Sequence, residues 1–270
     1  MVEKTTHGEQ VTETGSDKRE SLKIAKNRLL LTVPGKPVEL KKLENDEYGM
    51  ACLTKNNSDI VEACLEKDPK YHTNKTKEAA MKLKPDIESD DPAVVADAYK
   101  EIIKKIATEN STRTSKEAIK YLAEYCAEPS NNFLGRLQEG KPELVDDLCQ
   151  HLVDKKQRRE KSLASKICRY LNEWYCNDQK YTINDSVVRT LLPYYLAYYQ
   201  IDSKQWKETV KGKERVKQLD QLRYVDFYEL FSLVREKTEI DNHQLDHLLW
   251  YAYKNDRIRC EVAKALANEL

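Results

Sequence analysis

The chain has 270 residues, 34% charged and 40% hydrophobic, and its 46 basic residues balance 46 acidic ones. That length supports a full hydrophobic core in one large domain or two small ones, while zero formal charge excludes a global field for nucleic acid or anionic lipid. Any polyanion binding must come from a local patch.

The apolar runs LLLTV and LLPYYLAYY fall short of the roughly 20 residues that span a bilayer. The N-terminus MVEKTTHGEQ carries no apolar signal region, so a cytoplasmic protein without membrane contact is expected. The cysteines at 52, 64, 126, 149, 168, 176 and 260 form no C-x-x-C pair. Seven scattered thiols fit reduced core residues better than a disulfide frame, a zinc site or an iron–sulfur cluster.

In chain order, residues 1–20 are polar and lack apolar periodicity, which predicts a mobile tail. RLLLTVPGKPVEL, residues 28–40, is broken by Pro-Gly-Lys-Pro and yields at most a small extended element or turn. The rest of an N-terminal helical region, assigned to residues 21–154, holds DIVEACLEK, DPAVVADAYKEIIKKIATEN, TSKEAIKYLAEYCAEP and KPELVDDLCQHLVDKK. Asp91-Pro92 reads as N-cap and first helical residue, and Thr114 to Glu117 as a capping box. With seven glycines and few alternating β-branched runs, the fold class is all-α.

Composition shifts near residue 155. All three tryptophans and eleven of sixteen tyrosines lie in the second region, residues 155–270. Most of these aromatics read as core with hydroxyls at its rim. In the helix from Ser162, Leu163, Ile167, Tyr170, Leu171 and Trp174 share one apolar face, and Lys166 falls about 60° from Leu163 at 100° per residue. An amine at such a boundary either snorkels or, partly desolvated, serves as a neutral nucleophile. In YTINDSVVRTLL, Asn184, Asp185 or Ser186 is placed to cap the next helix; a carboxylate there gains from the helix dipole. Residues 155–169 hold Lys155, Lys156, Arg158, Arg159, Lys161, Lys166 and Arg169 against Glu160 alone, a candidate phosphate-contacting patch or a solvated helix end. His243 and His247 sit i,i+4 in HQLDH without the glutamate of H-E-x-x-H, and surface histidines are expected.

A lysine on one helix followed nineteen residues later by Asp-Ser-x-x-x-Arg opening another resembles the helix–hairpin–helix DNA glycosylase superfamily, in its 8-oxoguanine glycosylase-like branch. QLDHLLWYAYKN, from Gln244 to Asn255, is similar to a Leu-Asp-x-x-Leu-Trp signature of bacterial relatives. The resemblance spans roughly residues 155–255. It departs at the hairpin, where DKKQRREKSLAS has no glycine, and at Val187, where the family has histidine.

The resemblance implies a helical DNA-glycosylase-like fold with an added N-terminal helical region. It also implies excision of a damaged or modified base from double-stranded DNA, in repair or anti-phage defence, with possible lyase activity. Lys166 would attack C1′, Asp185 would stabilise the positive sugar, and Arg158, Arg159, Ser162 and Arg189 would contact phosphates. Asp246 and Trp250 would line the base pocket. Such carbon chemistry implies no metal and no cofactor. The alternative is a non-catalytic helical module binding DNA or a protein, with Lys166 a phosphate contact and Asp185 only a cap.

Overall fold

The computed structural model describes residues 44, 51–67, 75–201 and 219–253. The tail, the 28–40 segment, Trp206, Cys260 and the end of QLDHLLWYAYKN beyond Tyr253 lie outside them. The fold is all-α. The elements are α1 (Lys55–Lys67), α2 (Lys75–Lys82), α3 (Lys84–Ile87), α4 (Pro92–Glu109), α5 (Lys116–Ala127), a 3-10 turn (Pro129–Asn131) and α6 (Phe133–Glu139). They continue with α7 (Glu143–Asp154), α8 (Lys161–Cys176), α9 (Ser186–Tyr198), α10 (Tyr224–Arg235) and α11 (Asn242–Tyr253). No helix among the described residues is long and apolar enough to cross a membrane.

Local chemistry sets most boundaries. Asp91 caps α4 through the Ala93 N–H, with Pro92 filling the first helical position where its missing N–H costs nothing. The capping box expected at Thr114 is corrected by one residue. Ser115, extended at ψ 155°, accepts from the Ala118 N–H at 3.0 Å, and the buried Thr114 hydroxyl has no partner among the described residues. The N-cap hydroxyl must reach the third helical amide, and from this start only Ser115 does.

The turn after α7 explains how the chain manages without a glycine. The N–H groups of Lys156 and Gln157 bond back to Val153 and Leu152, a Schellman closure that needs a left-handed residue. Lys156 takes that place at φ 58°.

α4 and α5 pack as a hairpin, and α8 runs against α2, α4, α6 and α7. α11 lies across α1 and α9, and α10 across α7 and α9. The buried side chains on both sides of the composition shift thus join one core cluster. Most of α8 is buried from Lys161 to Asn172, and the buried residues include Lys161, Lys166 and Arg169. An unpaired buried charge is costly, so each of these three cations must find partners in the surrounding helices. Where they do so defines the site.

Candidate lysine–aspartate site

Ser165 and Asn184 are nineteen residues apart, the same spacing as their neighbours Lys166 and Asp185. The Ser165 hydroxyl accepts from the Asn184 N–H at 3.0 Å and donates to the Ser162 carbonyl. That bond pins the strand-like entry of α9 onto α8 and fixes the next pair along. Lys166 Nζ lies 3.8 Å from Asp185 Oδ2, with the two side chains 9% and 13% exposed. Asp185 divides its oxygens: Oδ1 accepts from the N–H groups of Val187 and Val188 at 2.9 and 3.1 Å, leaving Oδ2 for the amine. Ser162 Oγ accepts from Lys166 Nζ at 3.4 Å. Lys166 is therefore buried, beyond the stripe edge that its spacing suggests, and Asp185 is the cap among the three candidates.

Arg189 reinforces this clamp. Its guanidinium donates to the Asn184 carbonyl and side-chain oxygen at 2.8 and 2.6 Å, and its Nε lies 3.2 Å from an Asp220 oxygen. Both charge and donors are already engaged inside the fold.

α11 supplies the opposite wall. Asp246 is 5% exposed, and no described residue hydrogen-bonds its carboxyl or pairs with it. Burial, followed by the Asp185 carboxylate, pushes its pKa up to about 7, against the opposing pull of His247, Arg169 and Lys166. Trp250 follows one turn on, partly buried against the core.

The third buried cation, Arg169, donates to His243 Nδ1 and to a Glu173 oxygen at 2.8 Å. The expectation of surface histidines is thereby corrected. The two rings lie 3.7 Å apart, His243 against Arg169 and His247 with its Nδ1 2.8 Å from Glu62 Oε1. Burial first, then His247 and Arg169, pulls His243 down to about 2, so its ring is neutral. Sequence reasoning missed Glu62 and Ser165, and it placed Arg169 in the phosphate-contacting patch, whereas the guanidinium turns inward onto His243 and Glu173. The i,i+4 spacing of Arg169 and Glu173 was legible, but the contact with Glu62 joins residues 185 positions apart.

The basic run divides. Lys155, Lys156, Arg158 and Arg159 are exposed on the turn between α7 and α8. Arg158, 74% exposed, donates to both Glu160 oxygens at 2.9 and 3.1 Å, and Arg159 reaches Gln150 at 3.3 Å. Lys161 turns inward instead, donating to the carbonyls of Asp220 and Leu222, and burial lowers its pKa. An open depression lined by Lys77, Glu78, Met81 and Lys82 contains none of the candidate residues.

The arrangement provides a little-exposed amine and carboxylate at the junction of α8 and α9, a second carboxyl that titrates near 7, and four accessible cations on the preceding turn. No protein-family model, curated protein or solved structure matches the chain.

Proposed function

We propose that the chain is a DNA glycosylase with lyase capacity, acting on a damaged or modified base in double-stranded DNA. One observation carries the reading: an amine and a carboxylate, contributed by separate helices, lie 3.8 Å apart with almost no water around them. Glycosidic cleavage builds positive charge on the sugar. A fixed carboxylate in a low-dielectric recess stabilises that charge far better than it would in water.

Lys166, having passed its proton to the departing base, attacks C1′ as the bond from C1′ to the base nitrogen breaks, and the base leaves with its bonding pair and that proton. Asp185 Oδ2 faces the developing cation while Oδ1 stays anchored to α9, so the carboxylate needs no reorganisation. Loss of an amine proton and ring opening gives an imine between Lys166 and C1′. Removal of a C2′ proton then expels the 3′-phosphate by β-elimination. Asp246, half-protonated near neutral pH, can offer or accept a hydrogen bond at the edge of a flipped base, with Trp250 as a stacking face. Lys155, Lys156, Arg158 and Arg159 supply phosphate contacts from the preceding turn. Because the pair is so little exposed, the reading requires the rim of the recess to move when a nucleotide enters.

Borohydride trapping on duplexes containing an abasic site or a modified base tests the proposal. Wild type should yield a covalent adduct, and Lys166→Gln should yield none while retaining duplex binding. Equal DNA binding with no wild-type adduct on any duplex overturns the catalytic reading and favours a non-catalytic DNA-binding module, which the exposed cations alone would sustain.

A further inference from the structure

We propose that Glu62, His243 and His247 bind one divalent transition-metal ion of the zinc type, joining α1 to α11. One nitrogen from each ring and one Glu62 oxygen lie within 4.8 Å of one another. Ligands about 2.0–2.2 Å from a tetrahedral ion stand roughly 3.3 Å apart, so closing this set takes side-chain movement of about an ångström. Two imidazoles and one carboxylate are a borderline donor set that suits zinc, cobalt and nickel over magnesium or calcium. Three protein ligands leave a fourth position for water.

The contacts already present assign the donor atoms. His243 Nδ1 accepts from Arg169, so in its neutral ring the proton sits on Nε2. His247 Nδ1 faces Glu62 Oε1 at 2.8 Å, sharing a proton that an ion would replace, and that proton moves to Nε2 or to solvent. Both rings then present Nδ1, and no imidazolate is needed.

Arg169 is the opposing charge. Its guanidinium occupies His243 Nδ1, and an ion must displace it toward Glu173, which already holds its other nitrogen. Lys55 on α1 is drawn by Glu62 together with Asp59 and Asp241, and the Asp246 carboxyl bears on His247 and Arg169 from within α11. The imine chemistry of Lys166 needs no ion, so this site stands or falls independently of the base-excision reading.

The test uses the full chain, stripped with a chelator and titrated with Zn²⁺ by calorimetry and with Co²⁺ by absorption. Wild type should bind one equivalent of zinc, gain thermal stability and give a cobalt spectrum of four-coordinate intensity. His247→Ala should weaken zinc binding by more than about 100-fold, beyond the 10–100-fold typical of lost outer-shell partners. Glu62→Gln, isosteric and half-exposed, should weaken it by at least about 10-fold without loss of helicity. Should His247→Ala fail to fold, Glu62→Gln carries the result. The proposal is overturned if the stripped wild type takes up no zinc. It is equally overturned if Glu62→Gln binds zinc as wild type does, which would assign the metal to cysteines elsewhere.

Discussion

Asp246→Asn should convert a pH-dependent weakness of this fold into a pH-independent one. The Asp246 carboxyl is buried, lacks a partner among the described residues, and titrates near 7 in place of the ordinary 3.8. A group with a raised folded-state pKa favours folding only while protonated. Relative stability is therefore full below about pH 4 and is lost progressively as pH rises through 7. The gap of about three pH units, at about 1.4 kcal/mol each, amounts to about 4 kcal/mol by pH 8. Against a urea slope of about 2–3 kcal/mol per molar, this moves the unfolding midpoint by about 1.5 M.

Asparagine removes the titration and substitutes a buried amide, with a flat cost of about 1–3 kcal/mol. The signature is thus the slope of the difference and not its offset. Urea unfolding of both proteins from about pH 4 to about pH 8, with a chelator present, should show the variant gaining on wild type as pH rises. Stability curves that run parallel across that range would refute the reasoning, because they would mean the carboxyl is hydrated and ionises normally.

Other perturbations test other joints. Ser165→Ala strands the buried Asn184 N–H and should cost about 1–3 kcal/mol in urea unfolding, and it should also abolish borohydride trapping by freeing Asp185 from Lys166. Lys156→Gly relieves a left-handed lysine in the Schellman turn and should stabilise the protein by about 0.5–1 kcal/mol in thermal melts. Burial raises the thiols of Cys126, Cys149 and Cys168, Cys149 to about 12. Stability should therefore hold below about pH 9 and then fall by about 1.4 kcal/mol per pH unit for each thiol, as pH-dependent melting will show. Charge reversal at Arg158 and Arg159 should weaken duplex binding and flatten its salt dependence by roughly one phosphate contact per residue, leaving the melting temperature unchanged.

Periodicity along the chain was enough for the all-α fold, for the Asp91-Pro92 start of α4 and for a cap near Asp185. These features depend on neighbours within a few residues, where backbone geometry alone sets the outcome. The Thr114 cap slipped by one residue because Thr and Ser are chemically equivalent candidates and only the helix start decides between them. α2, α3 and α6 are 8, 4 and 7 residues long, too short to show a period, whereas α10 carries one openly in Tyr224, Phe227, Phe231 and Val234. The site was legible as a spacing. Lys166 and Asp185 come together because Ser165 and Asn184, one position earlier in each segment, hydrogen-bond across the gap. A seven-cation run looked like one patch, yet Lys161, Lys166 and Arg169 turn inward while Lys155, Lys156, Arg158 and Arg159 face out. A helix buried on nearly all sides sorts its charges by which wall offers acceptors, and those walls come from distant parts of the chain.

The sequence by itself determined a helical protein with an amine and a carboxylate at fixed spacing on consecutive helices, since hydrophobic period and capping chemistry are local. Only the tertiary structure decided that Asp246 is buried without a hydrogen-bond partner among the described residues, that Arg169 holds His243, and that Glu62 meets His247. Those relations join segments up to 185 positions apart, and they follow from the packing of α1, α8 and α11, which no short-range pattern encodes.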